Sequence, residues 1–112
     1  MWRDEAYILD MLIAARKVLE YTDGVAQDDF EKNAILQDAV MRQLEVLGEA
    51  ARCVSDEAKA EHPQVPWRDL VSLRNRLIHE YFRIKVDRVW DAATKEMPAI
   101  IALIEPLIPP GR

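Results

Sequence analysis

The apolar side chains of this chain recur at helical spacing almost throughout. From about Arg3 to Asp23, the residues Tyr7, Ile8, Met11, Leu12, Ala15, Val18 and Leu19 follow one another three and four apart. That spacing lays a single stripe along a helix. Gly24 follows, and a glycine just past the last turn is a common stop, because it enters the left-handed conformation without a Cβ penalty. A second helix is expected from about Asp28 to Val54. Phe30, Ala34, Met41, Leu44, Gly48 and Ala51 share one face, and Leu36, Val40, Leu47 and Val54 widen it. Only a narrow polar strip remains, made of Glu31, Asp38, Arg42, Glu45 and Glu49. A helix apolar over so much of its girth is surrounded by other elements, and in so small a chain part of that surface is expected to meet a second subunit. Gly48 costs a helix interior roughly 1 kcal/mol against Ala, so a close backbone approach is the expected reason for it.

Ser55 followed by "DEAKAE" reads as a capped short helix, with its acids at the positive end. "HPQVPW" is a connector. Pro66 suits the first turn of the next helix, where no amide hydrogen is needed, and that helix is expected to cover about Pro66 to Tyr81. The last helix starts near Asp87 as cap. It carries Val86, Val89, Trp90, Ala93, Met97, Ile100, Ile101, Ile104, Leu107 and Ile108 as its stripe. Pro98 lies inside it, should lose the bond to the Thr94 carbonyl, and is expected to kink the helix there. Nothing reads as a strand pair. The expectation is an all-α chain, an antiparallel bundle of four to five helices with short connections, forming one domain over residues 1–112.

Composition adds little to that fold but narrows the function. Half the 112 residues are hydrophobic and 31% are charged, the balance of a globular chain rather than a disordered one. The single cysteine, Cys53, cannot pair internally and reads as a small packed residue. The acidic N-terminus "MWRDEAYILD" does not resemble a signal peptide, and "MPAIIALIEPLIPP" is too short and too interrupted to span a bilayer. A cytoplasmic protein without a membrane partner is therefore expected. The net charge of −5 argues against indiscriminate nucleic-acid binding. Its distribution matters more: Arg68 to Arg88 holds six Lys or Arg against three acids, and the rest of the chain nine against seventeen. One basic region on an acidic body is a candidate anion site.

That region contains "LRNRLIHEYF", Leu73 to Phe82. With Leu70 at zero on a wheel of 100° per residue, Leu73, Leu77 and Tyr81 fall within about 60°, and Arg74 at about 40°. Asn75, Arg76 and His79 fall on the opposite face, between about 140° and 240°. Arg74 is then about 140° from His79, and Tyr81 about 160°, so a straight helix cannot gather these three by spacing. Three arrangements would: the helix ends near His79 and turns Tyr81 back, long side chains reach round, or two copies meet across a dimer. The crowded second helix favours the dimer.

The residue types suit RNA cleavage without a metal. A histidine exchanges a proton near neutral pH, either taking it from a ribose 2′-hydroxyl or giving it to the leaving 5′-oxygen. A guanidinium grips phosphate and steadies the charge that builds on it. His62 precedes Pro63 with no partner at useful spacing and receives no role. No Cys/His cluster or carboxylate set suggests a metal. No Gly-rich phosphate loop suggests that the chain itself binds ATP. No cofactor is expected.

The chain resembles the HepT family, the toxin half of MNT–HepT modules within the HEPN superfamily of helical proteins. The similarity runs from end to end. "DAVMRQLEVLGEAA" resembles the family's second-helix signature, "HPQVPWRDLVSLRNRLIHEYF" its central block, and "VWDAATKEMPAI" its final helix, with Trp90 and Pro98. The motif R-x(4)-H-x-Y falls on Arg74, His79 and Tyr81 without departure. The resemblance implies a HEPN-like bundle and a metal-independent endoribonuclease that works as a homodimer, the motif lining a cleft between subunits. It implies catalysis by Arg74 and His79, with Asn75 and Arg76 supporting them or contacting RNA. It also implies a partner, an MntA-like nucleotidyltransferase antitoxin that silences the toxin by transferring AMP from ATP to Tyr81. Two other readings stand beside this one. In the first, the bundle is a non-catalytic binding module, the partner and substrate subunit of that nucleotidyltransferase. In the second, it is a structural dimer that spends its motif on interface hydrogen bonds.

Overall fold

The computed structural model describes residues 2–109, and none of them lies in a β-strand. Helix α1 spans Trp2–Thr22, a short α2 Gln27–Glu31, α3 Ala34–Cys53, α4 Asp56–Glu61 and α5 Trp67–His79. A 3-10 turn over Tyr81–Arg83 leads to α6, Val86–Asp91. A widened π turn over Ala92–Glu96 joins α6 to α7, Met97–Ile104, and a 3-10 turn, Glu105–Leu107, follows. The chain is an all-α bundle. Its central helix is α3, which packs on α1, α5 and α6, while α7 closes the other side of α1.

The hydrophobic stripes locate the core. Met11, Ala15 and Val18 of α1 are fully buried, as are Val40 and Ala51 of α3 and Met97 and Ile104 of α7. Leu70, Leu73 and Leu77 give α5 its buried face. Gly24 ends the first helix at φ +72°, as its position predicts.

The second helix is not continuous. It breaks at Lys32 and Asn33, where Asn33 leaves helical geometry and caps α3, its side chain accepting from the Leu36 amide at 3.0 Å. Gln37 folds back and donates to the Phe30 carbonyl at 2.8 Å, tying the two pieces together. An asparagine side chain that bonds nearby backbone competes with the helix ladder, and here it wins. The break turns Phe30 inward, fully buried, with its ring 5.1 Å from that of Trp90. Ala34, expected on the apolar face, is exposed at the new helix start.

Three further boundaries differ from expectation. Pro66 stands just outside α5 rather than in its first turn. Lys85, not Asp87, occupies the cap position of α6. The irregularity expected at Pro98 falls on the turn before it, where the Met97 amide bonds the Ala92 carbonyl five residues back. The longer loop accommodates a ring that would otherwise meet the Thr94 carbonyl.

Two contacts fix the helices around α3. Ser55 caps α4 as predicted, accepting from the Ala58 amide at 3.1 Å. Its own amide and hydroxyl both donate to the buried Asp4 carboxylate, each at 2.8 Å. The end of α3 is thus pinned to the start of α1, and the two run antiparallel. On the other side, Gly48 lies against α5. A Cβ there would sit 2.2 Å from the Arg74 Cβ and 2.8 Å from the Leu70 carbonyl oxygen.

Both contacts yield predictions. Gly48→Ala gains helix propensity but drives a methyl into helix backbone, so it should lower the unfolding free energy by about 2 kcal/mol or more in urea titration. A stabilised variant would mean that α3 and α5 separate without cost. The Ser55 amide, then its hydroxyl, hold the Asp4 carboxyl below its ordinary value of 3.8. The stability from this depressed pKa is complete above the unfolded value and is lost as pH falls through the folded one. Asp4→Asn should therefore be less stable than the parent at pH 7, and the gap should close below about pH 4. A gap independent of pH would refute this.

Candidate functional site

Helix α5 carries the motif and spreads it over several faces. Arg74 and Ile78 face α3 and line a groove of about 390 Å³ with Tyr7, Arg42, Glu45 and Glu49. This groove shares Glu45 and Ile78 with a second hollow of about 360 Å³, at whose end stands Tyr81. Asn75 lines a different hollow with Lys59, Arg68 and Ser72, on the α4 side. Arg76 lies on yet another, beside Arg88 and Glu96, which are ion-paired at 2.6 Å. Asn75, Arg76 and His79 are all exposed.

Arg74 is the ordered member of the set. Its stem packs against Gly48, and its side chain is 23% exposed. Nη1 donates to Asn75 Oδ1 at 2.8 Å, while Nη2 lies 3.3 Å from Glu49 Oε1. Nε is buried with no hydrogen-bond partner among the described residues. Glu49 is held in turn by Arg52, whose Nε and Nη2 donate to its two oxygens at 2.9 and 2.8 Å. Those bonds, with the charges of Arg52 and Arg74 and against an opposing effect of burial, keep the Glu49 carboxyl below the usual carboxylate range. In the sequence Glu49 stood out only as one residue of a polar strip and as part of the "DAVMRQLEVLGEAA" segment, with no role assigned to it. Its neighbour Gly48, marking the close approach to α5, was the signal that could have drawn attention to it.

The helix ends at His79. Glu80 leaves helical geometry at φ −134° and ψ 27°, though its amide still bonds the Arg76 carbonyl. Tyr81 and Phe82 then enter the 3-10 turn, their rings edge to face at 5.8 Å, and are 67% and 69% exposed. A straight helix to Tyr81 would have buried that ring beside Leu77. Termination at His79 brings it to solvent instead, which is the first of the three arrangements the wheel allowed. The turn does not collect the motif into one cavity: Arg74 and Tyr81 line adjoining hollows, and neither hollow includes His79. Among the described residues, no group of three or more His, Cys, Asp or Glu could hold a metal ion, and no helix is long and apolar enough to cross a membrane.

A family model described as "Ribonuclease HepT-like" matches residues 11–107, which include both α3 and the whole motif. The chain belongs to the HepT-like ribonuclease family. Among curated relatives of this family is a "Putative RNase" of Methanocaldococcus jannaschii, 36% identical over 101 residues, or 90% of this chain and 93% of the relative. A "Probable ribonuclease HepT" of Thermococcus cleftensis is 33% identical over 101 residues, covering 90% and 92% of the two chains. A "Putative RNase" of Caldanaerobacter subterraneus is 33% identical over 94 residues, 84% of each. No solved structure matches the chain.

Because His79 and Tyr81 are exposed and support no core contact, His79→Ala and Tyr81→Phe should each leave the unfolding free energy within about 0.5 kcal/mol of the parent. Thermal and urea unfolding of the purified variants check this. A larger loss at Tyr81 would show that its hydroxyl is engaged by the fold.

Proposed function

We propose that this HepT-like protein is the toxin of a toxin–antitoxin pair, a metal-independent endoribonuclease with Arg74 and His79 at the cleft of a homodimer. The observation that carries the reading is the end of α5 at His79, which leaves an imidazole exposed five residues beyond a firmly held guanidinium. Cleavage by the RNA's own 2′-hydroxyl needs two proton transfers. A base removes the hydroxyl proton, the 2′-oxygen attacks the adjacent phosphorus, and the bond to the 5′-oxygen breaks as that oxygen gains a proton. The products are a 2′,3′-cyclic phosphate and a 5′-hydroxyl. One chain offers one suitable histidine, and a homodimer supplies the second. Arg74 balances the charge on the phosphate oxygens as the attack proceeds. Asn75 holds Arg74, and Arg76, on a separate flank, contacts the RNA strand away from the reacting phosphate.

Tyr81 is the silencing point. Its exposed phenol attacks the α-phosphorus of ATP bound by a cognate nucleotidyltransferase, pyrophosphate leaves, and the phenolic proton passes to solvent. The added AMP brings bulk and negative charge to the hollow that adjoins the Arg74 groove, so RNA is hindered from seating on Arg74.

The purified protein should cleave single-stranded RNA in EDTA and leave cyclic phosphate ends. His79→Ala should reduce the rate by about 100-fold or more. Incubation with the nucleotidyltransferase and ATP should add the mass of AMP at Tyr81 and stop cleavage. Equal cleavage by the His79 variant would overturn the assignment. A protein modified at Tyr81 yet inert toward RNA would instead be a non-catalytic substrate subunit of the nucleotidyltransferase.

A further inference from the structure

We infer that Glu49 is a positioning residue for Arg74, fixing its guanidinium in one orientation so that the remaining N–H groups meet an RNA phosphate. The inference rests on the ribonuclease reading of the site. The guanidinium is engaged at both terminal nitrogens, Nη1 by Asn75 and Nη2 by Glu49. Each of these nitrogens carries two N–H groups, so each keeps a donor for a phosphate oxygen. The Nε donor is buried without an acceptor among the described residues. An arginine free to turn would present that donor to water, so the contacts at the two ends outweigh its loss.

Glu49 can hold Arg74 because it is itself immobilised. Arg52, three residues on along α3, donates to both carboxylate oxygens. Orientation therefore passes from Arg52 to Glu49 to Arg74, and all three start from α3 and the helix that Gly48 admits beside it. The same contact could be supposed to act as a brake, with Glu49 cancelling the charge that RNA requires. Charge counting favours positioning. Two guanidinium groups share one carboxylate, and Arg52 takes both of its shorter bonds. The trio keeps one net positive charge, which remains on Arg74, whose contact with Glu49 is the longer at 3.3 Å.

The test is Glu49→Gln, which retains shape and an acceptor oxygen but loses the charge. For RNA cleavage, kcat should fall between about 10- and 100-fold, as expected when a charge-stabilising group is misplaced, with KM within about twofold. Combined with Arg74→Lys, Glu49→Gln should cost less than about a further twofold, because no guanidinium remains to be oriented. A faster Glu49 variant, or full additivity, would overturn the inference. A second readout does not depend on catalysis. The buried Arg74 Nε–H should give a slowly exchanging nitrogen-15 NMR signal, assigned by its loss in Arg74→Lys, and Glu49→Gln should speed its exchange by about tenfold. An unchanged signal would also overturn the inference. If the parent protein cleaves no RNA, the ribonuclease reading alone falls, and the NMR signal still decides whether Glu49 fixes Arg74.

Discussion

The missing side chain at Gly48 sets the distance between α3 and α5, and the site depends on that distance. Helices packed through ordinary side chains keep their axes roughly 8–10 Å apart. Here the Arg74 Cβ and the Leu70 carbonyl occupy the space a Cβ at Gly48 would need. Three things follow from this approach. Leu70, Leu73 and Leu77 reach the core and are buried. The Arg74 stem is desolvated against α3, while its charged end emerges where Glu49 can meet it. Glycine's helix cost, roughly 1 kcal/mol, is offset by that closer packing. One position thus joins the stability of the bundle to the placement of its most ordered cation.

The helices were legible wherever burial alone decides structure. The stripes of α1, α5 and the α6–α7 pair follow from which side chains avoid water, and Ser55 and Gly24 act through local backbone chemistry that sequence displays. The break at Asn33 was hidden for the opposite reason. Apolar spacing runs on through "FEKNAIL", so periodicity favours one helix, and the interruption rests on two side-chain bonds, from Asn33 to the Leu36 amide and from Gln37 back to Phe30. Each is worth only about 1 kcal/mol, too little to stand out in a pattern of hydrophobic residues. The π turn before Pro98 is similar. The proline signals a disturbance, but the choice of wide turn over bend belongs to the packing of Ala92 and Ala93, both fully buried.

The candidate site was half legible for a different reason. A helical wheel assigns directions but not ends. It put Tyr81 on the buried side because it continued the helix past His79. The observed helix stops there, with Arg76 and His79 in its last turn, where positive charge suits the carbonyl end. Two residues of altered backbone were enough to carry an aromatic ring from core to solvent. The angular separation of Arg74 from His79 survives, because both lie within the regular part of α5. The family resemblance singled out the residues, but their relation to Glu49 and Arg52 needed α3 in place.

The surroundings of Arg74 also constrain how an RNA phosphate could approach. The groove on its α3 side is lined by Asp10, Glu45 and Glu49 against Arg42, and the adjoining hollow adds Asp38. Those four acids outnumber Arg42 and Arg74, the bases of the same lining, which makes that side the less favourable approach for a polyanion. The opposite flank of α5 presents Asn75 and, near it, Lys59 and Arg68 with only Asp56 opposing them. His79 lies on that flank too, in the same direction from the helix axis as Asn75. On the proposed reading, the phosphate therefore meets Arg74 past Asn75, with the acidic groove behind the guanidinium. Glu49, which pairs with Arg74, then keeps it oriented, and the His79 face is left as the path for RNA.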